Sequence, residues 1–231
     1  VPHLTWTSMA GGAKRDYPAS IGYQSPWYKE YHYVEDYFAR LNTALTRGKP
    51  SVKVGVIHPI ESYWLYWGTE EHTGGIRREM DENFRNLIEW MLYGLVDFDF
   101  LAESLLPELT HGMPGIGNKL KVGEMEYETV IVPGCVTIRR STLEILNKFQ
   151  AQGGKVIFMG EAARMVQVEP SSEVIELAGK CTCIPYDCNS LLQVLEEERE
   201  LDIRNEDGNR TGNLIYQLRD EGEDRWLFLA H

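Results

Sequence analysis

The chain has 231 residues, with 35 Asp+Glu against 23 Lys+Arg and a net charge of -12. Its hydrophobic fraction of 43% excludes wholesale disorder, and its length holds one large domain or one domain with extensions. A chain this acidic repels phosphate unless a local basic patch forms, and none is visible, so nucleic acid is not expected as a partner.

No apolar run approaches the roughly 18–20 residues of a membrane span, so no membrane partner is expected. Val1-Pro2-His3-Leu4 carries neither the basic nor the apolar region of a signal peptide. The chain lacks an initiator Met and closes on the strand-like run Trp226-Leu227-Phe228-Leu229-Ala230-His231. Ordinary chain ends are polar and frayed, so a piece of a longer protein is expected. The four cysteines, Cys135, Cys181, Cys183 and Cys188, are too few for a disulfide scaffold. The spacing Cys181-x-Cys183-x4-Cys188 lacks the second knuckle or nearby His of a zinc site. Free thiols in a reducing compartment, hence a cytoplasmic location, are expected, with no metal.

Residues 1–35 set Trp6, Tyr17, Tyr23, Trp27, Tyr28, Tyr31 and Tyr33 among Gly11-Gly12, Pro18 and Pro26. They read as an irregular N-terminal extension. Val34, Tyr37, Phe38, Leu41 and Leu45 then recur at helical steps, and Gly48 with Pro50 stop that helix. It reads as a connector into a domain. Val52 to Pro59 is a β-branched strand. Glu61 to Trp67 reads as a loop or a short helical turn. Ile76, Met80, Phe84, Leu87, Ile88, Met91 and Leu92 mark a long amphipathic helix closed near Gly94. Asp97 to Leu101 is a second strand, and residues 111–118 are a Gly/Pro loop.

A small hairpin is expected around Gly123, followed by a third strand, Thr129 to Gly134. Leu143, Ile145, Leu146 and Phe149 predict a helix ending at Gly153-Gly154, and Lys155 to Gly160 a fourth strand. Val174 to Leu177 predicts a short helix, Cys181 to Pro185 a fifth strand, and Ser190 to Glu200 a helix with Leu191, Leu192 and Leu195 on one face. Apolar strands alternating with helices imply an α/β fold: a doubly wound, mostly parallel, flavodoxin-like sheet covered on both faces. Leu214 to Leu218 and Trp226 to Leu229 flank an acidic turn and read as a hairpin, the start of a further β domain. The expected divisions are therefore residues 1–50, 51–203 and 204–231.

An open parallel sheet binds ligands beyond the carboxyl ends of its strands. Glu61, Glu103 and Glu161 fall on that edge, with Ser62 and Cys135 beside them. Acid there disfavours a nucleotide, and neither a G-x-G-x-x-G after the first strand nor a G-x-x-x-x-G-K appears. No cofactor is expected. Gly112 to Gly117 precedes a hairpin and reads as a turn. Cys135 follows a strand and a Gly, near where an amidotransferase-like fold places a nucleophile. A nucleophile elbow wants small residues around the thiol and a helix starting at once. Here Val136-Thr137-Ile138 follow and the helix starts only near Ser141, so a packed thiol is the expectation. Lys14-Arg15-Asp16-Tyr17, with His3 and aromatics nearby, offers polar groups and ring faces of the kind that hold sugar hydroxyls. From the same residues alone, a solvated charged turn is the favoured reading.

Pro2 to Met9, Lys14 to Ser20, Tyr23-Gln24-Ser25-Pro26-Trp27 and Tyr37 to Leu41 resemble segments of large bacterial glycoside hydrolases of the α-L-rhamnosidase-like or family 2-like kind. Val54 to Pro59, Val122 to Met125, Val130 to Pro133 and Gly153 to Val156 are similar to the α/β domain that follows their catalytic barrel. That domain resembles the β-galactosidase trimerisation domain, itself related in fold to class I amidotransferases. The resemblance implies that residues 1–50 close a catalytic barrel and lead by a helix into an amidotransferase-like accessory domain. It implies substrate-binding positions at His3, Lys14, Arg15, Asp16 and Tyr17, over a sugar pocket. Related segments read Met-Arg-Gly where this chain has Met9-Ala10-Gly11, so one sugar-contacting cation is lost. The acid pair of glycoside hydrolysis would lie upstream, leaving this chain with no catalytic residue.

The expected function is therefore a non-catalytic accessory or assembly domain of a carbohydrate-active hydrolase, with a homo-oligomer as a candidate assembly. Two alternatives remain: a stand-alone amidotransferase-like enzyme using Cys135, and a sugar- or ligand-binding module using the edge at Glu61, Ser62, Glu103 and Cys135. Trp27, Tyr28, Trp64 and Trp67 would form a large apolar patch if uncovered.

Overall fold

A computed structural model describes residues 23, 25–110 and 117–231. The chain order is α1 (His32–Leu45), β1 (Lys49–Pro50), β2 (Val54–Ile57), α2 (Ile60–Leu65), α3 (Glu70–Tyr93), β3 (Phe98–Leu101), α4 (Leu106–Leu109), β4 (Leu120–Val122), β5 (Met125–Tyr127) and β6 (Thr129–Pro133). There follow β7 (Thr137–Ile138), α5 (Arg140–Ala151), β8 (Lys155–Met159), β9 (Met165–Val166), β10 (Glu169–Pro170), α6 (Glu173–Ala178), β11 (Thr182–Ile184), α7 (Cys188–Val194), β12 (Ile215–Glu221) and β13 (Asp224–Ala230). Two compact units form: Pro50–Leu218 with Leu229–His231, and the described residues before Pro50 with Arg219–Phe228.

The larger unit is an α/β fold built on a five-stranded sheet in the order β11-β8-β6-β2-β3. Every pairing in it is parallel: Val54 lies opposite Phe98 and Thr129, Thr129 opposite Lys155, and Thr182 opposite Ile157. Side chains alternate across a strand, so each central strand feeds two cores. Val54, Val56, Ile131, Ile157 and Met159 meet Leu87 and Met91 of α3, Leu191 of α7 and Leu195 just past its end. Ile57, Val130, Val132, Val156 and Phe158 meet Leu143, Leu146 and Phe149 of α5 and Val174 and Leu177 of α6. Helices thus cover both faces, which is why β2 and β6 are buried along their whole length. Burying each such side chain contributes roughly 1.5–3 kcal/mol.

Close approach fixes where elements end. α5 stops at Gly153 and Gly154, where the Gly154 N–H donates to the Phe149 carbonyl at 2.9 Å. A Cβ on Gly154 would lie 2.2 Å from the Phe149 ring, so only glycine lets β8 start beneath that ring. α3 begins at Glu70, six residues before the first apolar residue of its predicted pattern. Glu70 and Glu71 fill its first turn, where acidic groups complement the helix dipole. The last predicted helix is shorter than its pattern. Asp187 caps α7 by accepting the Ser190 N–H at 3.0 Å, and the helix ends at Val194. Glu196–Glu198 form a 3₁₀ turn instead. Glu198 is drawn under the sheet, where its Oε1 accepts Thr129 Oγ1–H at 2.5 Å and Lys155 Nζ–H at 2.9 Å.

The smaller unit contains α1, which buries none of its residues. Within it the Arg47 guanidinium pairs with Glu221 at 2.7 Å and lies 4.2 Å from the Trp226 ring centroid. Among the described residues no helix is long and apolar enough to cross a membrane.

Asp97, at the turn into β3, is raised from 3.8 to about 6, first by burial, against the stabilising Phe98 N–H bond, with the Asp99 carboxylate adding to the rise. The folded state therefore holds a proton that the unfolded chain releases, so stability falls as pH rises through about 4 to 6. Asp97→Asn keeps the acceptor and removes the charge. We expect it to raise urea stability above that window by roughly 1–2 kcal/mol, the linkage value discounted for partial exposure. The gain should vanish at lower pH. An unchanged or lowered stability at neutral pH contradicts this assignment.

Candidate functional site

The carboxyl ends of β2 and β6 are neighbours in the sheet, and two distinct structures meet there. The first is a closed loop. α2 follows β2 directly and buries Ser62 to 1% exposure. The Ser62 Oγ accepts the Val136 N–H at 2.9 Å and the Thr137 N–H at 3.2 Å, and donates to the Thr137 carbonyl at 3.2 Å. Glu103, 4% exposed, accepts the Arg139 N–H at 2.7 Å. Glu61 pairs with the Arg139 guanidinium. The predicted edge residues Glu61, Ser62 and Glu103 therefore converge from two parts of the chain on the short segment that starts at Cys135 and ends at Arg139, and they hold it by these hydrogen bonds and the ion pair. Glu161, expected beside them, lies exposed and pairs with Arg164 at 3.0 Å.

This closure decides what Cys135 can do. Its sulfur packs against the core, and burial, then the Glu103 carboxylate, push the thiol up to about 12. A thiolate nucleophile is disfavoured by both causes. The next amide, Val136 N–H, is the donor an elbow would aim at an oxyanion, and Ser62 already occupies it. Burial also raises the Glu103 carboxyl, against the Arg139 N–H bond that lowers it.

The second structure is open. A cavity of about 290 Å³ lies between the β2 and β6 ends, lined by His58, Tyr63, Asp81, Asn83, Phe84 and Tyr186 among others. The His58 ring packs edge-on to Phe84 at 5.2 Å and Phe100 at 5.7 Å between centroids. Burial lowers its pKa and favours the neutral imidazole. Tyr186, just past β11, crosses toward α3 and donates its hydroxyl to the Asn83 carbonyl at 2.9 Å. It closes on Gly160, whose φ of +81° and whose lack of a Cβ, which would sit 3.2 Å from the Tyr186 ring, admit the aromatic. Among the described residues no Lys or Arg lines this cavity.

The strand-end loops of this cavity were visible in the sequence; Asp81, Asn83, Phe84 and Tyr186 were not assigned to it. Met80, Asn83 and Phe84 share one helix face by their spacing, and Tyr186 follows the fifth strand's end, which is the signal that could have found them. His3, Lys14, Arg15, Asp16 and Tyr17 lie outside the described residues. Among the described residues no group of His, Cys, Asp and Glu is arranged to hold a metal, and Cys135, Cys181, Cys183 and Cys188 are unpaired thiols. No protein-family model matches the chain, and a search of curated proteins returns no match.

Ser62→Ala leaves two amides of the closed loop without their acceptor. An unsatisfied buried group costs about 1–3 kcal/mol, so the variant should lose about that much in urea unfolding. A loss under a few tenths of a kcal/mol contradicts the role given to the hydroxyl.

Proposed function

We propose that this chain is a non-catalytic part of a larger hydrolase acting on carbohydrate, and that its α/β unit is an accessory domain serving assembly. The observation that carries the reading is the closed loop after β6. The sheet's strands, numbered in chain order, run 2-1-3-4-5, the flavodoxin-like order. This supports a flavodoxin-like and amidotransferase-like classification. In such a fold the loop after the third strand is where a thiol nucleophile would stand. Here the Cys135 thiol lies half-buried against the core, its amide partner is taken, and burial, then the neighbouring Glu103 carboxylate, raise its pKa instead of activating it. The fold is kept and the chemistry is gone, as suits a domain reused for packing.

The resemblance of the N-terminal and α/β segments to glycoside hydrolases supplies the parent activity, with His3, Lys14, Arg15, Asp16 and Tyr17 as sugar-contacting positions. Trp64 and Trp67 on the α2 side are 58% and 73% exposed, and exposed aromatic surface of this kind suits an assembly contact, including one between copies. The unpaired cysteines favour a reducing compartment such as the cytoplasm.

A panel of aryl glycosides tests the reading. The isolated chain should give no turnover above a blank, and the natural gene product should have a mass far above 26.5 kDa. Turnover by the isolated chain, or rapid iodoacetamide labelling of Cys135 at neutral pH, overturns it; the latter would favour a thiol enzyme. The second reading, a ligand-binding module, is favoured by one observation: the open cavity at the β2–β6 ends, where strand order reverses and open α/β sheets take their ligands.

A further inference from the structure

We infer that the cavity between the β2 and β6 ends binds a small organic cation with a planar apolar body, such as an arylalkylamine. The inference rests on the ligand-binding reading and gives it a chemical class.

Shape and charge carry the argument. At about 290 Å³ the space suits a small molecule, not a peptide or a nucleotide. Its walls include the rings of Tyr63, Phe84 and Tyr186, which match a flat apolar body and attract cations through their faces. Among the described lining residues Asp81 alone is formally charged. Among the described residues it accepts one long hydrogen bond, from the Tyr63 hydroxyl at 3.4 Å, and makes no ion pair. The carboxylate therefore retains acceptor capacity at the mouth of an aromatic space. An anion entering would meet that carboxylate with no compensating Lys or Arg in the described lining.

Two further polar groups are open. The ring nitrogens of His58 and the side-chain amide of Asn83 make no hydrogen bond among the described residues, although both residues are part-buried in the wall. Such groups usually find partners, and a ligand with one or two donors would satisfy them. The imidazole, held toward its neutral form by burial, offers an acceptor and adds little charge against a cation.

Isothermal titration of the full chain with phenethylamine, phenethyl alcohol and hydrocinnamate separates the terms, because the three share a ring and chain and differ in charge. The amine should bind one per chain, roughly tenfold or more tighter than the alcohol, with no measurable binding of the anion. Asp81→Asn, at an exposed position where folding should be unaffected, should abolish the amine's advantage. Equal binding of amine and anion, or an unchanged preference in Asp81→Asn, overturns the cation assignment and leaves a ligand site standing. Absence of saturable binding by all three overturns the site and the ligand-binding reading with it.

Discussion

The Ser62 hydroxyl is the interaction on which the carboxyl edge of the sheet depends. It stands in the first turn of α2, a helix of six residues that could not persist alone. Three hydrogen bonds from one oxygen tie that helix to the backbone of Val136 and Thr137. With the segment pinned, Thr137–Ile138 pair beside Met165–Val166, and Arg139 arrives where Glu103 takes its amide and Glu61 its guanidinium. The same bonds occupy the Val136 amide, the donor that a nucleophile elbow would aim at an oxyanion.

The opposite edge is secured by charge. Lys155, at the start of β8, donates to Glu198 and to the Val194 carbonyl at 2.8 Å, and Thr129 at the start of β6 joins the same carboxylate. A buried ion pair of this kind adds little net stability over an apolar pair, but breaking one partner is costly. Its effect is positional: it ends α7 and carries the chain beneath the sheet. Between the two edges, the two apolar cores supply the stabilisation, and the cavity occupies the gap that strand order leaves open.

The strands of the large sheet were legible because each is a short apolar run bounded by Gly, Pro or charge, as in Val54–Ile57, Thr129–Pro133 and Lys155–Met159. Helices on both faces followed from strands that are near-continuous apolar runs. Other features were hidden for a physical reason. The two-residue strands Thr137–Ile138 and Met165–Val166 exist only because Ser62 and the Thr137 hydroxyl, which accepts the Val168 N–H at 3.1 Å, organise them. The early end of α7 depends on Glu198 finding Lys155, a contact between residues 43 apart. Glu61, Ser62, Glu103 and Cys135 could be placed on one edge from strand ends alone. Whether that edge was open or closed depended on side-chain bonds that no spacing encodes. Asp81 and Asn83 flank the apolar stripe of a helix read for that stripe alone, which is why the cavity's polar wall went unassigned.

The closed loop is the claim on which the functional reading turns, and amide hydrogen exchange at Val136 and Thr137 tests it most directly. Held by a buried hydroxyl, both protons should exchange only with cooperative opening of the surrounding α/β unit, and Ser62→Ala should speed them by roughly ten- to a hundredfold. Exchange at the rate of a free surface loop in the wild-type chain, unchanged by Ser62→Ala, would show an open strand end and contradict the account.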